Sequence, residues 1–107
     1  MILVDTGFFL ALAQPTDDLH ARALAWAEHL SEDLLVTEYV LWEVINNLSR
    51  PNDRPRAYRI FELVSTGANF SILVASPELF AAGLKLHRER PDKHWSLTDC
   101  ISFHLMA

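Results

Sequence analysis

The sequence predicts an α/β domain in three layers, a parallel sheet with helices packed on both of its faces. Three observations predict it. The apolar runs ILV (2–4), LLVT (34–37) and FSILVA (70–75) are short and nearly uninterrupted, as strands buried on both faces are. Each is followed by residues with helical spacing of apolar positions, the alternation that parallel βα units produce. Capping and breaking residues fall between the runs.

Taken in order, residues 2–4 form the first strand. Thr6 caps the helix that follows, with Phe8, Phe9, Leu10 and Leu12 as its apolar body, and Gln14-Pro15 breaks it. Thr16 or Asp17 caps a second helix to about Leu30, with Leu19, Ala23, Trp26, Ala27 and Leu30 at helical spacing. After the strand at 34–37, a helix runs from about Glu38 to Leu48 and stops at Ser49-Arg50-Pro51. Another runs from about Arg54 to Ser65, with Ala57, Ile60, Phe61 and Val64 as its inner stripe, and Gly67 ends it. The third strand, 70–75, leads into Ser76-Pro77-Glu78, a cap followed by Pro at the first helical position. Residues 91–94 form a loop, and the last helix starts near Leu97. Its stretch HWSLTDCISFHLMA (94–107) stops at Ala107 without a cap, Gly or Pro. Three strands make a thin sheet for so many helices, and the architecture reads as unfinished.

Composition narrows the class. The 107 residues form a single domain, 1–107, with room for one core. Half the residues are apolar and 21% are charged, as in ordinary globular proteins. One cysteine, Cys100, excludes an internal disulfide framework and implies a reducing, cytoplasmic setting. The opening MILV is too short for a signal segment, and no apolar run approaches the ~20 residues of a membrane span. A net charge of −5 argues against a generic nucleic-acid coat. The distribution is uneven, however. Residues 1–49 hold a single basic residue, Arg22, and most of the acids. The remaining basic residues form two clusters, Arg50, Arg54, Arg56, Arg59 and Lys85, Arg88, Arg90, Lys93. They are either solvated helix ends or basic lips that hold phosphates beside an acidic site.

Three carboxylates carry the chemistry. Asp5 directly follows the first strand, at the carboxyl edge where open α/β sheets bind ligands. Glu43 interrupts the apolar Val40, Leu41, Val44 and Ile45, and Asp99 interrupts the last helix. Ionised carboxylates are rarely buried without a partner, because desolvation costs several kcal/mol each. With few basic residues nearby in sequence, a cation is the natural partner, and hard oxygen ligands suit Mg²⁺ or Mn²⁺. Each acid also has a purely structural reading. Asp5 can cap the first helix, Glu43 can pair with Arg50, and Asp99 can sit in a first turn capped by Ser96 or Thr98. Their joint placement favours the metal.

These blocks resemble the PIN domain family, and most of all the VapC-type toxins of bacterial and archaeal toxin–antitoxin pairs. MILVDTGFFLALAQPTDDLHARA is similar to the family's opening of strand, Asp-Thr pair, helix and His-x-x-Ala. VTEYVLWEVINNLSR resembles the second block with its helical Glu, and WSLTDCISFHLM the third. The resemblance implies a PIN-like fold and a metal-dependent endoribonuclease that hydrolyses RNA. Its acidic ligands for Mg²⁺ or Mn²⁺ match Asp5, Glu43 and Asp99, and Thr6 matches a supporting hydroxyl. Arg50, Arg54, Arg56, Arg88, Arg90 and Lys93 are the candidate RNA contacts. It further implies a homodimer and a cognate antitoxin whose C-terminal segment enters the acidic site. In the family a strand, a loop with a fourth acid near an Asp-x-x-Phe motif and a final strand follow the last helix. The sequence is therefore expected to be either a natural C-terminal truncation or part of a longer chain; if the 107 residues are the whole molecule, catalysis is expected to be weakened, with Ile101, Phe103 and Leu105 exposed or covered by a partner.

Other classes fit less well. Asp5-Thr6-Gly7 is also the aspartic-protease signature, but that all-β fold needs strands before the motif. A response-regulator receiver needs adjacent acids at the first strand. A PIN-like module that binds RNA or an antitoxin peptide with impaired or no catalysis is the alternative, separated from the enzyme by metal-dependent RNA cleavage. Tyr39, Trp42, Tyr58 and Phe61 on the two middle helices are core or a groove for an amphipathic helix, with at least half expected in the core.

Overall fold

The computed structural model describes residues 2–13 and 32–106. Among them, strands β1 (Ile2–Leu3), β2 (Leu34–Thr37) and β3 (Phe70–Leu73) form one parallel sheet in that order. The helices are α1 (Thr6–Ala13), α2 (Glu38–Asn47), α3 (Arg54–Thr66), α4 (Pro77–Glu89) and α5 (Leu97–Met106). The helix expected over residues 16–30, with its caps and the Gln14-Pro15 break, lies outside the described residues.

Strand β2 is central, pairing Leu34 with Ile2 on one side and with Phe70 on the other. Its side chains alternate between faces. Leu34 and Val36 join Phe9 of α1, Val40 and Val44 of α2, and Ala57, Ile60 and Val64 of α3 in the main core. On the opposite face, Leu3 and Leu35 line an apolar hollow with Leu105 and Met106 of α5. Helices therefore cover both faces, which is the predicted three-layer arrangement.

Local chemistry sets the joints. Thr37 ends β2 and caps α2 at once, its hydroxyl accepting from the Val40 amide at 3.2 Å, so no loop is needed between them. Ser76 caps α4 through the Leu79 amide, ahead of Pro77. The first turn of α2 also holds the loop after β3. The Glu38 carboxylate accepts from the Ala75 amide, and the Tyr39 hydroxyl both donates to the Ser76 carbonyl and accepts from its amide.

Several expectations need correcting. The first helix is capped by Asp5, whose Oδ1 accepts from the Phe8 amide at 2.9 Å, because Thr6 is already helical and its hydroxyl is used elsewhere. Strand β3 ends at Leu73 rather than residue 75, since the Ala75 amide turns to Glu38 instead of the ladder. In α3, Ala57, Ile60 and Val64 are buried, but Phe61 is 43% exposed on the flank of that stripe. Of the four middle aromatics only Tyr39 is buried, tethered by its hydroxyl, while Trp42 and Tyr58 are 63% and 59% exposed. Ile101 is 1% exposed, because α5 packs closely on α4 at Gly83. Leu105 is half-buried, and Phe103 remains 37% exposed.

Candidate functional site

Asp5 follows the last ladder bond of β1, from the Val4 amide to the Leu35 carbonyl at 2.9 Å. It stands at the carboxyl edge of the sheet, and capping α1 engages one of its two oxygens. The next residue reaches across to α2, where the Thr6 hydroxyl donates to Glu43 Oε2 at 2.6 Å. Glu43 is half-buried and makes no ion pair with Arg50; Thr6 is its partner. The charge-assisted bond is short, as expected for a hydroxyl on a carboxylate.

Asp99 sits in the first turn of α5 within a reciprocal cap. Its Oδ2 accepts from the Ser96 amide and its own amide donates to Ser96 Oγ, both at 3.0 Å. Ser96, not Thr98, is the cap. Beside it, burial and then the neighbouring Asp99 charge push the Cys100 thiol pKa up.

Asp5, Thr6 and Asp99 line one cleft of about 230 Å³, with Leu3 and Val40 as apolar wall and Ser102 and Phe103 on α5 opposite. Thr98 lines this cleft and also a neighbouring groove of about 310 Å³, which holds Glu43, Asn46, Trp42 and Phe80. The two acids from the ends of the sequence thus share a cleft, and Glu43 lies in the groove beside it, joined through Thr6. Among the described residues, no three Asp, Glu, His or Cys side chains converge into a complete ligand set.

The donor chemistry still suits a hard cation. Among the described residues, neither Asp5, Glu43 nor Asp99 forms an ion pair, and the pairs formed are Arg56–Asp53 and Arg90–Asp92. Capping uses one oxygen of Asp5 and one of Asp99, which leaves the second oxygen of each without a donor among the described residues. Two carboxylates in one cleft with no cationic side chain between them fit Mg²⁺ or Mn²⁺.

The two basic clusters separate. Arg50, Arg54 and Arg56 lie at the α2–α3 turn, where Arg54 donates to the Ser49 carbonyl and Arg56 pairs with Asp53 at 2.9 Å. These bonds stay within the turn. Arg88 is exposed in the last turn of α4. Arg90 binds Asp92 through two nitrogens, which raises the guanidinium pKa and lowers that of the carboxyl. Arg90 and Lys93 both stand over the Trp95 ring, 5.4 and 5.7 Å from its centroid. Trp95 in turn meets Phe103 edge-on at 4.8 Å, so only this cluster is linked to the cleft. Thr98, Ser102 and Phe103 were not singled out by the sequence as site residues. The spacing of four between Thr98 and Ser102 on an apolar helix is the signal that places them together.

The sequence matches the PIN domain family model over residues 2–107, and the chain belongs to that family. The fold is similar to the crystal structure of VapC20 from Mycobacterium tuberculosis, described as a Sarcin-Ricin loop cleaving toxin. The TM-score is 0.88 at 20% identity, with 99% of this chain and 81% of that one covered. The sequence finds no match among curated proteins.

Proposed function

We propose that the chain is a metal-dependent endoribonuclease, the toxin of a type II toxin–antitoxin pair, working at Asp5, Glu43 and Asp99 with Thr6 in support. One observation carries the reading: Asp5 and Asp99, from opposite ends of the sequence, line one cleft at the sheet's carboxyl edge, and among the described residues no cationic side chain is paired to either. Membership of the PIN family and likeness to an RNA-cleaving toxin of the same fold support it.

Asp5 and Asp99 would hold Mg²⁺ or Mn²⁺, with Glu43 contributing from the adjoining groove. When bound, such an ion lowers the pKa of a water and neutralises charge developing on the phosphate. The chain's own part is to fix the ligands. Asp5 is anchored by the Phe8 amide of α1 and Asp99 by the amide of the cap residue Ser96, and Thr6 holds Glu43 by one hydrogen bond.

The partners are RNA, a cognate antitoxin peptide and a second copy of the chain, in the cytoplasm. The groove of Trp42, Phe80 and Glu43 offers an apolar wall and an acidic floor to a basic amphipathic peptide. No helix among the described residues is long and apolar enough to cross a membrane.

The test is RNA cleavage with and without Mn²⁺. Activity should require the metal and fall roughly a hundredfold or more in Asp5→Asn and in Asp99→Asn. Cleavage that persists in chelator, or in both variants, overturns the reading. Among the described residues no three acids form a complete ligand set, which favours a second reading, a PIN-like module that binds RNA or antitoxin without efficient catalysis. Binding of RNA with no metal-stimulated cleavage would establish that one.

A further inference from the structure

We infer that Phe103, with Lys93 held beside it by Trp95, forms a docking subsite for unpaired RNA next to the acidic cleft. The inference takes RNA as the substrate class from the reading above and adds where, and in what form, the strand is held. An acidic cleft in a chain of net charge −5 repels a phosphate backbone, so binding needs local positive charge where the strand enters. The cluster on the loop before α5 supplies it. Arg90 is committed to Asp92 through two hydrogen bonds. Lys93 has no carboxylate partner among the described residues, and its charge rests over the Trp95 ring at 5.7 Å. Trp95 is thus a positioning residue for a cation that remains available to phosphate.

Phe103 supplies the second element. It lines the cleft with Asp5 and Asp99, is 37% exposed, and is braced edge-on by Trp95. An exposed ring beside a free cation matches a nucleotide, whose base stacks while its phosphate pairs. Bases within a duplex keep their faces covered by neighbours, so only an unpaired base uses this ring. If Phe103 merely closed the α4–α5 loop, its loss would alter stability and leave RNA affinity unchanged.

Fluorescence anisotropy on the full chain in chelator, where metal-dependent cleavage is silent, separates these cases. The probes are a single-stranded RNA of about ten nucleotides and a duplex of the same length. The wild type should prefer the single strand. Phe103→Leu, which keeps the apolar bulk, should weaken single-strand binding about tenfold, as one lost base stack does, with duplex binding unaltered. Phe103→Tyr should retain the affinity, and Lys93→Ala should lower the salt slope by about one. Circular dichroism and thermal melts confirm that each variant is folded. Single-strand affinity unchanged in Phe103→Leu, or equal wild-type affinity for duplex, overturns the subsite. That failure is distinct from loss of the ribonuclease reading, which is decided by metal-dependent cleavage.

Discussion

Asp99 has two employments that a single substitution separates. As an acceptor it completes the Ser96 cap of α5, and as a charge it faces the cleft with Asp5. Asparagine keeps an acceptor and removes the charge, whereas Ser96→Ala removes the other half of the cap. Loss of an N-cap costs about 0.5–2 kcal/mol, roughly 4–8 °C of thermal midpoint per kcal/mol in a domain of this size. Ser96→Ala is therefore expected to melt several degrees lower with metal-dependent cleavage retained, and Asp99→Asn to melt near the wild type with cleavage lost. Thermal melts paired with cleavage assays check both. Equal destabilisation by the two would mean that the Asp99 charge serves the fold.

At the scale of elements, α4 packs on α5 through a glycine. Gly83 is the buried residue of α4, and it lies against Ile101 and Leu97 of α5. A methyl group at this position would overlap Ile101 Cγ1. Alanine raises helix propensity by about 1 kcal/mol, but overpacking a closed contact costs about 1–3 kcal/mol, and here the overlap is with a side chain that is itself fully buried. Gly83→Ala should lower stability on urea denaturation. Adding Ile101→Ala, which removes the overlapping Cγ1, should cost less in the Gly83→Ala background than in the wild type, because residues in direct contact couple by about 0.5–3 kcal/mol. Additive effects of the two changes would show that the helices do not approach this closely. The α4–α5 contact also carries Trp95 and Phe103 to the cleft, so its closeness bears on the site.

For the whole molecule, the informative surface is apolar. Trp42 and Phe80 stand on the groove between α2 and α4, while Tyr58, Phe61 and Leu63 are exposed along α3. Monomers of this size rarely leave several large side chains uncovered in neighbouring positions. With the Trp42 and Phe80 groove left to the antitoxin peptide, a two-fold partner burying Tyr58, Phe61 and Leu63 accounts for their exposure, and a homodimer is the expected state. Sedimentation at about 10–100 µM checks it, a range in which a weak interface is still populated. A monomer there removes the dimer and leaves these side chains to a peptide partner.

The sequence by itself located the strands, because buried parallel strands are local apolar runs: LLVT is found as β2 with the residues expected, while β1 and β3 end at Leu3 and Leu73, short of the readings 2–4 and 70–75. It determined the helix starts at Ser76 and near Leu97 for the same reason, since caps act within one turn. It marked Asp5, Glu43 and Asp99 as acids in apolar surroundings. Only the tertiary structure decided their relations. That Asp5 rather than Thr6 caps α1 follows from the Thr6 hydroxyl finding Glu43 across a separation of 37 residues. That Phe61 and Trp42 are exposed while Tyr39 is buried depends on which flank of a helix meets its neighbour, which periodicity resolves only to within a side chain or so. The division of the basic residues into a cluster tied within its own turn and one joined to the cleft rests on Trp95 meeting Phe103. Local preference is written in neighbouring residues, whereas the distance between two side chains far apart in sequence is set by how the layers pack.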